Sequence, residues 1–169
     1  IALTEAGRLA YWMPGKKYDL VGLNTPETAL NGASIAYLKK LKPDLIMIHH
    51  AGLLGDIHCS DDKNFCKFKL LELIDASNVE NGLKYLNSNN RIKKASAITT
   101  SFLITNYHNY HIYSVKYGTS NYHIYALKKD GLIQSNGFEI SLKKSFDSKY
   151  HLSYLKMKLR HRLLSLLAS

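Results

Sequence analysis

The sequence predicts an α/β fold built on a mixed sheet, and three of its features do so. Asp44-Leu45-Ile46-Met47-Ile48 is an almost unbroken apolar run, as expected of a strand covered on both faces. A shorter run, Tyr18–Val21, and a helix-length stretch precede it; strand, helix and strand in that order make a βαβ-like unit with parallel strands. Farther on, Asn109-Tyr110-His111-Ile112-Tyr113 recurs as Asn121-Tyr122-His123-Ile124-Tyr125 around Tyr117-Gly118-Thr119-Ser120. Two such arms about a turn read as an antiparallel hairpin.

The elements follow in order. Ile1–Thr4 is a buried strand running into a turn at Glu5-Ala6-Gly7. Tyr18–Val21 is a second short strand, closed by Gly22. Asn24-Thr25-Pro26-Glu27 opens a helix: Thr25 can cap it, Pro26 suits the first helical position, and Glu27 suits the positive end of the dipole. That helix is expected to continue through Ala29–Leu41, burying Ile35 and Leu38, weakened at Gly32 and stopped by Pro43. After the apolar strand, Phe65–Ala76 reads as a helix with Phe68 and Leu71 along one line, and residues 79–87 as another short one. Ile98–Thr105, with its Thr, Phe and Ile, suits a strand. Leu152–Leu167 has apolar residues at helical spacing, with Lys156, Lys158, Arg160 and Arg162 mostly on its other faces.

The chain of 169 residues is long enough for one domain with a sizeable core. With 46% apolar and 21% charged residues it has the composition of a folded protein, not a disordered one. No apolar run approaches ~18 residues, which excludes a membrane-spanning helix within this segment. The 23 Lys and Arg outnumber 13 Asp and Glu, a net charge of +10. Such an excess favours an anionic partner: a membrane surface, a phosphate group or nucleic acid.

The opening carries the most chemistry. A strand ending in Glu5-Ala6-Gly7 puts a carboxylate at a strand's C-terminal edge, where open α/β sheets bind ligands. Arg8 offers a planar fork for carboxylate or phosphate. Asp19 could pair with Arg8 or hold backbone amides. Glu5, Arg8, Tyr11, Asp19 and Asn24 therefore form a candidate ligand or interface edge, with His49 at the end of the apolar strand beside it. The competing account is a structural network that only fixes the first loop.

The stretch Thr4-Glu5-Ala6-Gly7-Arg8-Leu9-Ala10-Tyr11-Trp12, followed by Tyr18-Asp19-Leu20-Val21-Gly22-Leu23-Asn24-Thr25-Pro26-Glu27, resembles the start of the soluble extracytoplasmic domain that ends many bacterial GT-C type membrane glycosyltransferases. The matching positions are Glu5, Ala6, Gly7, Leu9, Tyr11, Asp19, Gly22, Leu23 and Asn24, and Lys42-Pro43-Asp44-Leu45-Ile46 resembles that family's next strand. Thr25 departs from it, standing where an acidic residue is common. The resemblance covers the first 50 or so of 169 residues. It implies a domain excised from a longer polytopic protein that uses polyprenyl-phosphate sugars, on the extracytoplasmic, periplasmic side of a bacterial inner membrane. It also implies that the catalytic carboxylate lies on a membrane-helix loop outside this chain, so neither Glu5 nor Asp19 is assigned a catalytic role.

Cys59 and Cys66 are the two cysteines. Their short spacing permits a disulfide, which an oxidising compartment would favour; the other reading is two reduced thiols, with Cys66 on a helix face. His49, His50, His58, Cys59, Asp61, Asp62 and Cys66 fall close together, but their spacing matches no zinc motif, and His49 and His50 on one strand point to opposite faces. No metal and no cofactor is expected. The duplicated aromatic arms could stack on sugars or bases, yet Tyr is also an ordinary strand former. The basic last helix could touch anionic lipid or simply pack its Leu stripe.

The expected function is an accessory extracytoplasmic domain of a membrane glycosyltransferase-like protein. It would contact acceptor, saccharide or lipid-linked sugar, or dock on the transmembrane part of the same protein. The alternative is a free-standing basic α/β module that binds nucleic acid through the hairpin and the last helix. A small hydrolase using Glu5, Asp19 and a strand-end His is a weaker third reading, since no nucleophile motif is present.

Overall fold

The computed structural model describes residues 1–4, 15–48, 65–68, 85–117 and 121–145, with backbone only for 65–68, 114–117, 121–122 and 144–145. The chain divides into two compact units, Ile1–Ser135 and Asn136–Ser169. In the first, six described strands form one mixed sheet in the order β2-β1-β3-β6-β5-β4. The strands are β1 (Ala2–Leu3), β2 (Tyr18–Asp19), β3 (Leu45–Ile48), β4 (Phe65–Phe68), β5 (Tyr110–Tyr117) and β6 (Asn121–Lys128). Helices α1 (Pro26–Asn31), α2 (Ile35–Leu41) and α3 (Arg91–Asn106) belong to the same unit.

The parallel and antiparallel parts meet at β3. β1 pairs in parallel with both β2 and β3, so the two strands flanking the α1–α2 crossover sit on either side of β1. β6 pairs antiparallel with β3, aligning Met47 with Tyr125 and Ile48 with Ile124. The duplicated arms form the expected hairpin, in a register that sets Tyr113 opposite Tyr125 and Tyr117 opposite Asn121. Residues 118–120, within the expected turn, lie outside the described residues.

Every residue of β3 is at most 1% exposed, as an apolar run covered on both faces requires. Alternation splits that run. Ile46 and Ile48 join Ala2, Leu38, Ile98, Phe102, Leu103 and Ile112 in the core beneath α2 and α3. Leu45 and Met47 take the opposite face and are equally buried.

Three elements differ from expectation. The helix expected from Pro26 to Leu41 is two helices. Gly32 takes a positive φ of 71°, and Ser34 then caps α2 by accepting a hydrogen bond from the Tyr37 amide at 3.1 Å. This break turns Ile35 outward while Leu38 stays fully buried. The α2 helix ends at Lys42, in the left-handed conformation, just before Pro43.

Ile98–Thr105 is not a strand but the body of α3. Asn90 caps this helix by accepting from the Lys93 amide at 3.1 Å. Its core residues Ala95, Ile98, Phe102 and Leu103 recur at helical spacing. The hydroxyls that suggested a strand are absorbed along the helix: Thr99 donates to the Ala95 carbonyl at 2.6 Å and Ser101 to Ala97 at 2.9 Å.

Phe65–Phe68, expected to open a helix, is the strand β4. It pairs antiparallel with β5, aligning Phe65 with Val115 and Phe68 with Ile112. A ladder partner supplied by the hairpin outweighs the helical spacing of a few apolar residues. Residues 69–76 lie outside the described residues, as do 79–84 of the other expected helix, and Tyr85–Asn87 form a turn. The last expected helix, Leu152–Leu167, also lies outside the described residues.

The described part of the second unit is Asn136–Ser145, the body of helix α4 (Ser135–Ser145), whose Lys143 ammonium pairs with Glu139 one turn earlier at 3.0 Å. Among the described residues no helix is long and apolar enough to cross a membrane.

Candidate functional site

Asp19 ends the short strand β2, and the chain then turns sharply through Leu20–Asn24 into α1. Its carboxylate accepts four successive backbone amides. Oδ1 takes those of Val21 at 2.9 Å and Gly22 at 3.3 Å, and Oδ2 those of Leu23 at 2.7 Å and Asn24 at 2.9 Å. The side chain is only 6% exposed. Of the two partners expected for it, the backbone amides are the ones the described residues contain, and Arg8 lies outside them. A carboxylate so engaged has little acceptor capacity left for a sugar or a metal.

The same residue is held through its main chain. Tyr18 and Leu20 turn their amides toward β1, donating to Ile1 at 2.9 Å and Leu3 at 2.8 Å. Asp19 therefore turns its own amide and carbonyl away from the sheet. The amide donates to Thr25 Oγ1 at 2.7 Å, and the carbonyl accepts from the Thr28 hydroxyl. Thr25 occupies the N-cap position of α1, but its side chain makes no cap hydrogen bond there. The cap chemistry read from the sequence is thus corrected: the oxygen that would cap the helix is taken by β2.

Gly22 completes the turn with a φ of +88°. A Cβ there would lie 2.6 Å from the Thr28 carbonyl oxygen and 2.8 Å from the Ala29 nitrogen. Only a residue without a side chain lets the loop close on α1. Asp19, Gly22, Thr25 and Thr28 thus form one knot that fixes how the chain leaves β2. Sequence reasoning reached Asp19 and Gly22, gave Thr25 a different role and missed Thr28; the signal was a pair of hydroxyls three residues apart after a strand-end Asp.

The C-terminal ends of β1 and β3 open on the same side as this turn, because the three strands are parallel neighbours. Of the candidate edge, Asp19 and Asn24 are described. Asp19 is committed to the knot, and Asn24 is exposed beside it with its amide on the carboxylate. Glu5, Arg8, Tyr11 and His49 lie outside the described residues. So does Cys59; Cys66 sits on β4, which corrects its expected place on a helix face. Among the described residues no three His, Cys, Asp or Glu side chains are grouped to hold a metal ion.

Three described rings of the hairpin are placed for packing. Tyr113 and Tyr125 are 0% and 1% exposed, and His123, whose ring centroid lies 6.4 Å from that of Tyr125, is buried as well. These rings offer no open face on which a base could stack. At the other end of β5, the Tyr110 hydroxyl donates to the Pro43 carbonyl at 3.2 Å. Burial, with Asp44 and Asp130 nearby, pushes this phenol up to about 12.

No curated protein and no solved structure matches this chain. A family model does match, over residues 1–125, which span the knot, all three parallel strands and most of the hairpin. The chain therefore belongs to the family described as a domain of unknown function, DUF8728.

Proposed function

We propose that this chain is an accessory extracytoplasmic domain of a bacterial membrane glycosyltransferase-like protein, set on the periplasmic side of the inner membrane. The observation that carries this reading is where the GT-C-like segments sit. The piece that opens at Thr4 follows β1, the piece around Asp19 begins in β2, and the piece from Lys42 to Ile46 runs into β3, and these three strands are parallel neighbours. The aspartate of the D-x-x-G-L-N piece is the residue that locks the turn. An aspartate used in this way holds shape, which suits a domain that docks rather than one that performs the transfer.

In this reading the reactive carboxylate belongs to the membrane-embedded part, and the isolated domain is inert as a transferase. Docking on the transmembrane part is the primary role. Contact with acceptor or lipid-linked sugar falls to Asn24 and to Glu5, Arg8, Tyr11 and His49, since Asp19 is already engaged.

The test is a fusion of alkaline phosphatase after Ser169 in the complete natural gene, expressed in a bacterium. Active phosphatase, which folds only outside the cytoplasm, is the expected result, together with upstream apolar spans of ~20 residues. A fusion that is inactive while a fluorescent protein at the same position is bright overturns the reading.

A further inference from the structure

The strongest unexplained feature of the first unit is the distribution of its exposed apolar and basic side chains. Its described residues include five large, exposed apolar side chains: Leu23 at 72%, Leu30 at 85%, Ile35 and Ile92 at 37% each, and Leu132 at 91%. All but Leu132 belong to one end of the sheet. Leu23 lies in the turn leaving β2, and Leu30 in the last turn of the helix on which that turn packs. Ile35 opens α2. This helix ends at Lys42, beside the start of β3, so its first residue lies toward the strand's far end. Ile92 opens α3, which passes through Tyr107–Asn109 into Tyr110, the residue paired with Lys128 beside the start of β3. The first turn of α3 therefore lies toward the same end as that of α2.

That end is also basic. Arg91, Lys93 and Lys94 are exposed in the first turn of α3, which holds no acidic residue. Cations there oppose the helix dipole, so helix stability does not account for them. The Lys93 ammonium rests over the Tyr85 ring, 5.2 Å from its centroid. Glu27 is the one exposed acidic side chain among the described residues of this end.

The geometry points to this end as a surface that docks on an anionic phospholipid bilayer. Leu23, Leu30, Ile35 and Ile92 would enter the headgroup layer, while Arg91, Lys93 and Lys94 would meet lipid phosphates. Apolar side chains set among cations are what an interfacial surface needs. Each cation adds attraction to an anionic leaflet, and the net charge of +10 adds long-range attraction. A nucleic acid would match the cations but leave the leucines and isoleucines in water. The inference rests on the membrane setting proposed above and adds which face meets the lipid.

The test is co-sedimentation of the full 169-residue chain with vesicles of phosphatidylcholine, with or without phosphatidylglycerol. Binding is expected only when phosphatidylglycerol is present. Arg91→Glu/Lys93→Glu/Lys94→Glu is expected to lose at least roughly tenfold in partitioning, and its helix should hold, because acidic residues suit that position. Lys40→Glu/Lys42→Glu/Lys129→Glu makes the same charge change with exposed residues toward the opposite end, and is expected to keep most of the binding. Leu23→Ser/Leu30→Ser is expected to weaken binding most at high salt, where electrostatic attraction is screened.

Equal loss in the two charge-reversed variants overturns the inference. So does tight binding to single-stranded RNA, sensitive to Arg91, Lys93 and Lys94, by a chain that ignores the vesicles. Circular dichroism confirms that each variant is folded. The two proposals fail separately: an active phosphatase fusion without vesicle binding sinks only this docking face, and vesicle binding with an inactive fusion sinks only the extracytoplasmic setting.

Discussion

The amide of Asp19 donates to the hydroxyl of Thr25 at 2.7 Å, and this bond links the end of β2 to the start of the helix that follows. Together with the four amides on the Asp19 carboxylate, it makes the crossover into α1 a fixed joint. The consequences can be measured residue by residue.

Asp19→Asn is expected to cost about 2–3 kcal/mol, because one of the two acceptor oxygens becomes a donor facing backbone amides that donate to it. Urea denaturation followed by circular dichroism measures this. A loss below about 0.5 kcal/mol would mean that the turn holds without the carboxylate.

The two left-handed glycines of this region are expected to differ. Gly22→Ala meets both strain and the Thr28 carbonyl and should cost about 3 kcal/mol. Gly32 also has a positive φ, but no atom lies within 4 Å of its would-be Cβ. Gly32→Ala should cost strain alone, about 1–2 kcal/mol. Melting temperatures of the two variants give the ranking.

Tyr110 makes stability fall in alkali. Its folded value of about 12 lies above the ordinary 10.0, so the folded state holds the proton more tightly. The contribution is complete below 10 and is lost as pH rises toward 12, in total about 2 kcal/mol. Tyr110→Phe is expected to cost about 1 kcal/mol near neutrality, through the lost bond to Pro43. The gap to the wild type should narrow, then reverse, across that alkaline window in urea titrations.

Tyr113 and Tyr125 face each other across the hairpin with no exposure to speak of. Either change to Ala is expected to cost about 3–4 kcal/mol. A double-mutant cycle should return a coupling of about 0.5–1 kcal/mol. Additive losses would show that the rings pack against other neighbours rather than each other.

Ser96 and Thr100 are buried on α3, and their hydroxyls have no hydrogen-bond partner among the described residues. Ser96→Ala is expected to be neutral or to stabilise by up to about 1 kcal/mol, since it removes a desolvated polar group. A clear drop in melting temperature would reveal a partner for that hydroxyl.

What could be read from the sequence followed the range of the forces involved. β3 was legible because Leu45–Ile48 is apolar at each position, and the hairpin because its arms repeat. α3 was misread: the β-branched residues between Ile98 and Thr105 suggest a strand one by one, whereas Asn90 and the spacing of Ala95, Ile98, Phe102 and Leu103 specify a helix together. Phe65–Phe68 was misread because its structure depends on β5, more than 40 residues away. At the candidate site, Asp19 announced itself by charge at a strand end. The parts of Thr25 and Thr28 did not, because a hydroxyl after a strand can cap a helix or hold a backbone, and only the fold chooses.

The hold of Thr25 and Thr28 on Asp19 reaches beyond the crossover. Among the described strands β2 is the outermost on its side of the sheet, and the outward main-chain groups of Asp19 are already taken by side chains of the same protein. A foreign strand arriving there finds no donor or acceptor to zip onto at Asp19. Where copies meet at high local concentration, that flank resists cross-β stacking into fibrils.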